Sequence, residues 1–198
     1  LMAILITPGA FTSTAQSQVT IQTDGLSLQL SSQAKVSSLK LGGTEYRTVA
    51  NRRHSGFAVL EYPDKDFYEL SAKPVTVGAT TIQHCVNENA GLELKAEFKE
   101  RPGCITVTGW IKDLHGKDRP IDLVYSLPLK KADWQWWTGL TEKEKVQQQN
   151  SYIMDEYQLG CVTSETDKTG LAIAISPERP CIYSVEYDTH KQVMLMRP

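Results

Sequence analysis

The sequence predicts an all-β fold, an antiparallel β-sandwich with little helix. Three observations predict it. Apolar residues recur at every second position in several short runs. Turn-forming strings separate those runs at intervals of about ten residues, and no long stretch carries apolar residues at helical spacing. The length of 198 residues suits a single large β domain, and a hydrophobic content of 40% against 22% charged residues is enough to build a core.

In chain order, Leu26, Leu28 and Leu30 alternate with Ser27, Gln29 and Ser31. Leu92, Leu94, Ala96 and Phe98 alternate with Glu93, Lys95, Glu97 and Lys99. Ile105, Val107 and Ile111 hold one face of the next run, opposite Thr106 and Thr108. Ile121, Leu123, Tyr125 and Leu127 repeat the pattern, as do Leu171, Ile173 and Ile175. Period two with one polar face predicts half-buried antiparallel strands. The turns fall at Thr23-Asp24-Gly25, Gly42-Gly43, 87–91, Arg101-Pro102-Gly103, 115–118 and 167–170. Leu140 to Gln149 is polar nearly all round, which predicts a loop or at most a short surface helix.

Both ends suggest a piece of a longer exported protein. Leu1 to Ile6 is apolar but too short to span a bilayer, and Ser13-Thr14-Ala15 precede Gln16 with small residues at −3 and −1. Residues 1–15 therefore read as a truncated signal peptide and 16–198 as the β-sandwich domain, secreted or periplasmic. Val193 to Met196 reads as a strand with no natural close at Arg197-Pro198, so the domain is expected to continue into a C-terminal one. Cys85, Cys104, Cys161 and Cys181 allow three disulfide pairings. Cys85 with Cys104 is the first choice, and four buried free thiols are the alternative.

A formal charge of −2 without a basic stripe argues against nucleic acid, and no segment reads as a membrane span or polybasic anchor. No zinc spacing, nucleophile elbow or phosphate loop occurs, so no metal or cofactor is expected. Among 23 Asp and Glu residues no pair stands out as the acid and base of glycoside hydrolysis. Asp113 and Asp118 flank a turn and read as turn caps. His54, His84, His115 and His190 are scattered, so no catalytic residue is assigned. Trp134, Trp136 and Trp137 are the sharpest candidates. Flat indoles stack on pyranose faces, yet they also fill cores or dock domains. Alternation puts Trp134 and Trp136 on one side and Trp137 on the other, with the polar stretch after Thr141 placed to fold over them. Asp118 and Arg119, in Gly116-Lys117-Asp118-Arg119-Pro120, read as a structural turn or an interdomain contact.

The run Val107 to Leu129, the string Trp134-Gln135-Trp136-Trp137 and the run Tyr157 to Ser176, closed by Pro177, together resemble the N-terminal β-supersandwich domain of secreted glycoside hydrolases, in the galactose mutarotase-like superfamily. Residues 107–187 carry the resemblance, and 18–106 share only strand character. It implies a non-catalytic accessory domain ahead of a catalytic C-terminal domain, with an oligo- or polysaccharide as partner. No motif around a histidine matches the mutarotase enzymes. Two alternatives stand beside this reading: a sugar 1-epimerase working through a His/Glu acid–base pair, and a free-standing carbohydrate-binding module.

Overall fold

A computed structural model describes residues 18–48, 54–64, 66–116, 118–147, 151–154, 159–176, 178 and 183–197. The segment read as a signal peptide, and Cys181, lie outside them. The described residues form strands and turns only, every strand pair is antiparallel, and no helix among them is long and apolar enough to cross a membrane.

The strands pair into four sheets rather than two continuous ones. The first is a meander of β1 (Val19–Gln22), β2 (Leu26–Leu30), β3 (Val36–Leu41) and β4 (Thr44–Glu45). Gly42 and Gly43, both at positive φ (55° and 87°), close the β3–β4 hairpin. Two consecutive residues of that conformation match the right-handed twist of paired strands and favour glycine. A six-stranded sheet takes β5 (Gly56–Glu61), β6 (Asp66–Glu69), β11 (Ile121–Pro128), β14 (Ser151–Met154), β17 (Ser184–Asp188) and β18 (Val193–Arg197), in the order β14-β17-β18-β11-β5-β6. A third sheet, β10-β9-β8-β7, is built from β7 (Val75–Val77), β8 (Thr80–Asn87), β9 (Leu92–Arg101) and β10 (Cys104–Asp113). The fourth, β13-β12-β15-β16, holds β12 (Trp134–Trp137), β13 (Lys143–Lys145), β15 (Leu159–Ser164) and β16 (Thr169–Ala174).

One hydrophobic core joins all four. Leu28 and Leu39 enter it from the first sheet, Phe57 and Tyr187 from the six-stranded one, Leu94 and Phe98 from the third, and Trp134 and Val162 from the fourth. Aromatic contacts stitch the sheets together. Phe57 meets Phe98 at 6.2 Å between ring centroids, Tyr46 meets Trp134 at 5.2 Å, and Trp136 meets Tyr152 at 6.2 Å. The six-stranded sheet is buried on both faces at its centre. Leu127 and Met194 face the main core, and Val124, Val193 and Leu195 form a second cluster on the other side. β18 therefore reads as a nearly continuous apolar run, Val193 to Met196.

Two expectations change. The polar stretch read as a loop or short surface helix holds a short strand, with no helix among its described residues 140–147. Lys143–Lys145 is an edge strand on β12, with Trp136 opposite Glu144 and Trp137 opposite Lys143. An edge strand needs no apolar face when its partner supplies the backbone hydrogen bonds, so no periodicity announced it. Cys85 and Cys104 are not bonded to each other, and Cys161 is free as well. Cys85 lies opposite Leu94 and Cys104 opposite Arg101, so they sit seven residues apart along β9 (94 to 101), one strand to each side of it. At about 3.3 Å per residue that is roughly 23 Å, far beyond the reach of a disulfide. Burial pushes the Cys85 thiol above its ordinary range.

Gly160 on β15 leaves out the side chain that would collide with Val185 on β17. A Cβ there would stand 2.4 Å from Val185 Cγ1 and 3.2 Å from the outermost carbon of the Trp136 indole. Gly160→Ala is expected to destabilise the fold by about 1–3 kcal/mol, as overpacking does in a filled core. Urea unfolding followed by tryptophan fluorescence measures it.

Candidate functional site

The three tryptophans of the WQWW string divide as alternation requires, but most of their surface goes to the core. Trp134 is 0% exposed and Trp136 1%. The Trp134 indole N–H donates to the Lys130 carbonyl at 3.0 Å, and its ring lies against Tyr46. Both indoles thus take the packing role among the two open for them, and neither presents a face to a sugar. Trp137 is half-buried on the opposite side of β12. Its N–H donates to Thr163 Oγ1 at 3.0 Å, and the Lys143 ammonium stands 5.9 Å from the ring centroid. The stretch after Thr141 does fold back along this string. The Val146 N–H donates to the Trp134 carbonyl at 2.9 Å, and β13 pairs alongside.

The turn 113–120 is a structural clamp built on Arg119, whose side chain is only 11% exposed. Its Nε donates to Asp113 Oδ2 at 2.8 Å and its Nη1 to Glu61 Oε2 at 2.9 Å, while Nη2 donates to the Ala90 carbonyl. One guanidinium thus ties the end of β10, the end of β5 and the β8–β9 turn, which a planar five-donor fork can do and an ammonium cannot. Asp113 caps the turn as expected, accepting from the His115 N–H at 2.7 Å and the Gly116 N–H at 2.9 Å. Asp118 is exposed on the turn.

The face that sequence reasoning missed is the outer side of the β10-β9-β8-β7 sheet. Trp110, the fourth tryptophan, stands there 46% exposed. Register places Trp110, Lys95 and His84 in one row across β10, β9 and β8, with Lys112, Glu93 and Val86 in the next. His84 Nε2 hydrogen-bonds Glu93 Oε1 at 2.6 Å, and its ring meets Trp110 edge-on at 6.3 Å. Lys95 and Lys99 both pair with Glu97, at 2.9 and 3.1 Å. The face holds an exposed indole braced by an imidazole and carries cations and anions in near balance. A pattern in the sequence could have found it: parity puts Trp110 with Thr106 and Thr108, on the polar side of its strand.

Two shallow concavities lie elsewhere on the described residues. One of about 360 Å³ is lined by Glu69, Ser71, Cys85 and 86–89, and one of about 270 Å³ by 22–24 and 100–102. Two of the carboxylates there have structural partners: Glu69 pairs with Lys35 at 2.8 Å, and Glu100 accepts the Gln22 N–H at 3.0 Å. Among the described residues no group of three or more His, Cys, Asp or Glu is gathered to hold a metal ion. The histidines remain apart. His54 lies edge-on to Phe67, His115 is in the Arg119 turn, and His190 follows β17. Comparison with protein-family models finds none that matches, and comparison with curated proteins finds no match either.

Asp113 supplies a pH test of the clamp. Burial works against its ionised form, but the His115 N–H, the Arg119 hydrogen bond and charge, and the Gly116 N–H outweigh it and hold the carboxyl below its ordinary range. A carboxyl depressed in the folded state stabilises above the unfolded pKa, about 3.9, and that contribution is lost as pH falls through the folded value. Asp113→Asn is therefore expected to lower the melting temperature at neutral pH and to flatten its decline below about pH 4. Arg119→Lys is expected to lower it too, since one ammonium cannot reach all three acceptors. Calorimetric scans from neutral to acid pH read both effects.

Proposed function

We propose that this chain is the non-catalytic β domain of an exported carbohydrate-processing protein, and that it holds an oligo- or polysaccharide on the outer face of the β10-β9-β8-β7 sheet. The observation that carries the reading is the exposed Trp110, fixed edge-on by His84 and ringed by hydrogen-bonding side chains. A pyranose offers an apolar C–H face to stack on an indole and hydroxyls that both donate and accept. Glu93 supplies acceptors, Lys95 and Lys112 supply donors, and Thr108 supplies both. The near balance of charge suits a neutral hydroxylated ligand better than a polyanion, which would call for a basic stripe. A protein partner would favour a face depleted of charge at its centre. The resemblance of residues 107–187 to accessory domains of secreted glycoside hydrolases points the same way.

The epimerase alternative gains no support from the contact between His84 and Glu93. An acid and a base must stand on opposite sides of the sugar ring. His84 and Glu93 bond directly to each other at 2.6 Å and leave no gap for a pyranose between them.

Trp110→Ala is expected to weaken glycan binding about tenfold or more, which is about 1.4 kcal/mol, and to leave stability within about 0.5 kcal/mol of the parent. Trp134→Ala is expected to do the reverse, costing about 3–5 kcal/mol of stability as a buried aromatic truncation. A glycan array followed by titration calorimetry on the best ligand, with urea unfolding of both variants, separates the two roles. Binding that survives Trp110→Ala at full strength refutes the assignment of the site.

A further inference from the structure

The strand that carries Trp110 has a second property. β10 lies at the edge of its sheet, and it is ten residues long. The other strands that end a sheet among the described residues are much shorter: β1, β6 and β14 have four residues each, β4 two, β7 and β13 three each, and β16 six. Short edges are one way a protein avoids unwanted strand pairing; lysines, prolines and bulges are others. β10 has no proline, pairs with β9 without a register shift, and carries one lysine, close to its end. Four consecutive residues in its middle, Val107 to Trp110, are exposed, although they point alternately to the two faces of the sheet. Val107, on the side turned towards the core, is 42% exposed. Ile105 and Ile111 anchor the strand on the core, while its middle, Val107 to Trp110, is uncovered on both faces, and no described strand pairs with its outer edge.

We propose that β10 pairs antiparallel with β10 of a second copy of this chain, with Thr108 on the two-fold axis, so that two four-stranded sheets join into one of eight. The occupant follows from the self-complementarity of the strand. In an antiparallel pair, residues directly opposite share a face, so a two-fold axis at a residue matches positions of equal parity. With the axis at Thr108, Ile105 meets Ile111 of the second copy, Thr106 meets Trp110, Thr108 meets itself and Cys104 meets Lys112. Val107 meets Gly109, whose missing side chain leaves room for the valine. No like charges face each other in this register. Shifting the axis to Gly109 sets the Asp113 carboxylate opposite Ile105, a poorer match. Gly109 also has a reason to be glycine within its own sheet, because a Cβ there would stand 2.0 Å from the Lys95 carbonyl oxygen. A C2 pair of this kind is isologous and closes, so it ends at two copies instead of growing into a fibre. It also sets both Trp110 rings on one continuous outer face. The pairing itself does not depend on what that face binds.

The test uses the whole chain. Sedimentation velocity over a concentration series is expected to give a reversible monomer–dimer equilibrium. Val107→Lys, which places a charge at an exposed edge position, is expected to shift it to monomer while the circular dichroism and glycan binding of the parent persist. Thr108→Cys in a Cys104→Ser background is expected to form a disulfide-linked dimer under mild oxidation, while the Cys104→Ser parent does not. A chain that stays monomeric at the highest concentration attainable overturns the proposal. So does a dimer unaffected by a folded Val107→Lys variant, or the absence of any Thr108→Cys cross-link. Loss of glycan binding by Trp110→Ala with the dimer intact, or the converse, tells the failure of one reading from the failure of the other.

Discussion

Trp134 and Trp136 are the two largest fully buried side chains of this protein, and their neighbourhood is arranged to admit them. β12 is only four residues long, yet it sets both indoles into the core because they lie two positions apart. β15 passes beside them, and its Gly160 leaves out a side chain that would collide with Val185 and crowd the Trp136 indole. Tyr46 lies on Trp134 and is itself pinned from two directions. Its hydroxyl bonds Asp167 in the turn after β15, and the Lys130 ammonium sits 4.8 Å above its ring. Burial first, and then the Asp167 hydrogen bond and charge, push the Tyr46 phenol up to about 12. A neutral phenol donating to a carboxylate is a stable arrangement in such a place. The Lys130 N–H donates to the Tyr46 carbonyl at 2.7 Å and closes the connection between the first sheet and the tryptophan sheet.

Arg119 plays the matching part at another seam. It joins the β8–β9 turn, the end of β10 and the end of β5, and so fixes the third sheet against the six-stranded one. Nearby backbone contacts reinforce the seam: the Leu114 N–H donates to Gly91 at 2.8 Å and the Tyr62 N–H to Pro120 at 3.1 Å. Gln83 donates to the Leu70 carbonyl at 2.6 Å from inside the core. β10 is anchored on the core by Ile105 and Ile111 and uncovered at its middle. The exposure of Trp110 follows from its parity on the outer side of the sheet, and that of Val107 from the place of β10 at the sheet's edge. The Arg119 seam thus lies at the end of β10, and the face we propose for recognition is centred on Trp110 in its second half.

Period-two alternation was enough to place the runs 92–98, 105–111, 121–127 and 171–175 on strands, since each shows a polar and an apolar side over several residues. Turn strings marked where chains reverse. Asp113 read as a turn cap because an aspartate just ahead of a glycine turn has backbone N–H groups within reach of its side chain. The short pieces were less legible. β4, β7 and β13 have two or three residues each, too few for any period, and they exist because a neighbour offers hydrogen bonds.

The sequence by itself determined the all-β class, the parity of each long strand, the main turns and the role of Asp113, because these depend on residues near one another in the chain. Only the tertiary structure decided which faces are covered. Parity says that Trp134 and Trp136 share a side and that Trp110 stands with Thr106 and Thr108, but not which side meets another sheet. Closure of four sheets on one core buried the first pair and left Trp110 in the open. The same holds for Cys85 and Cys104, close in sequence yet set on either side of β9 by the order of strands. Burial and distance are properties of how sheets stack, and stacking depends on contacts between residues far apart in the chain.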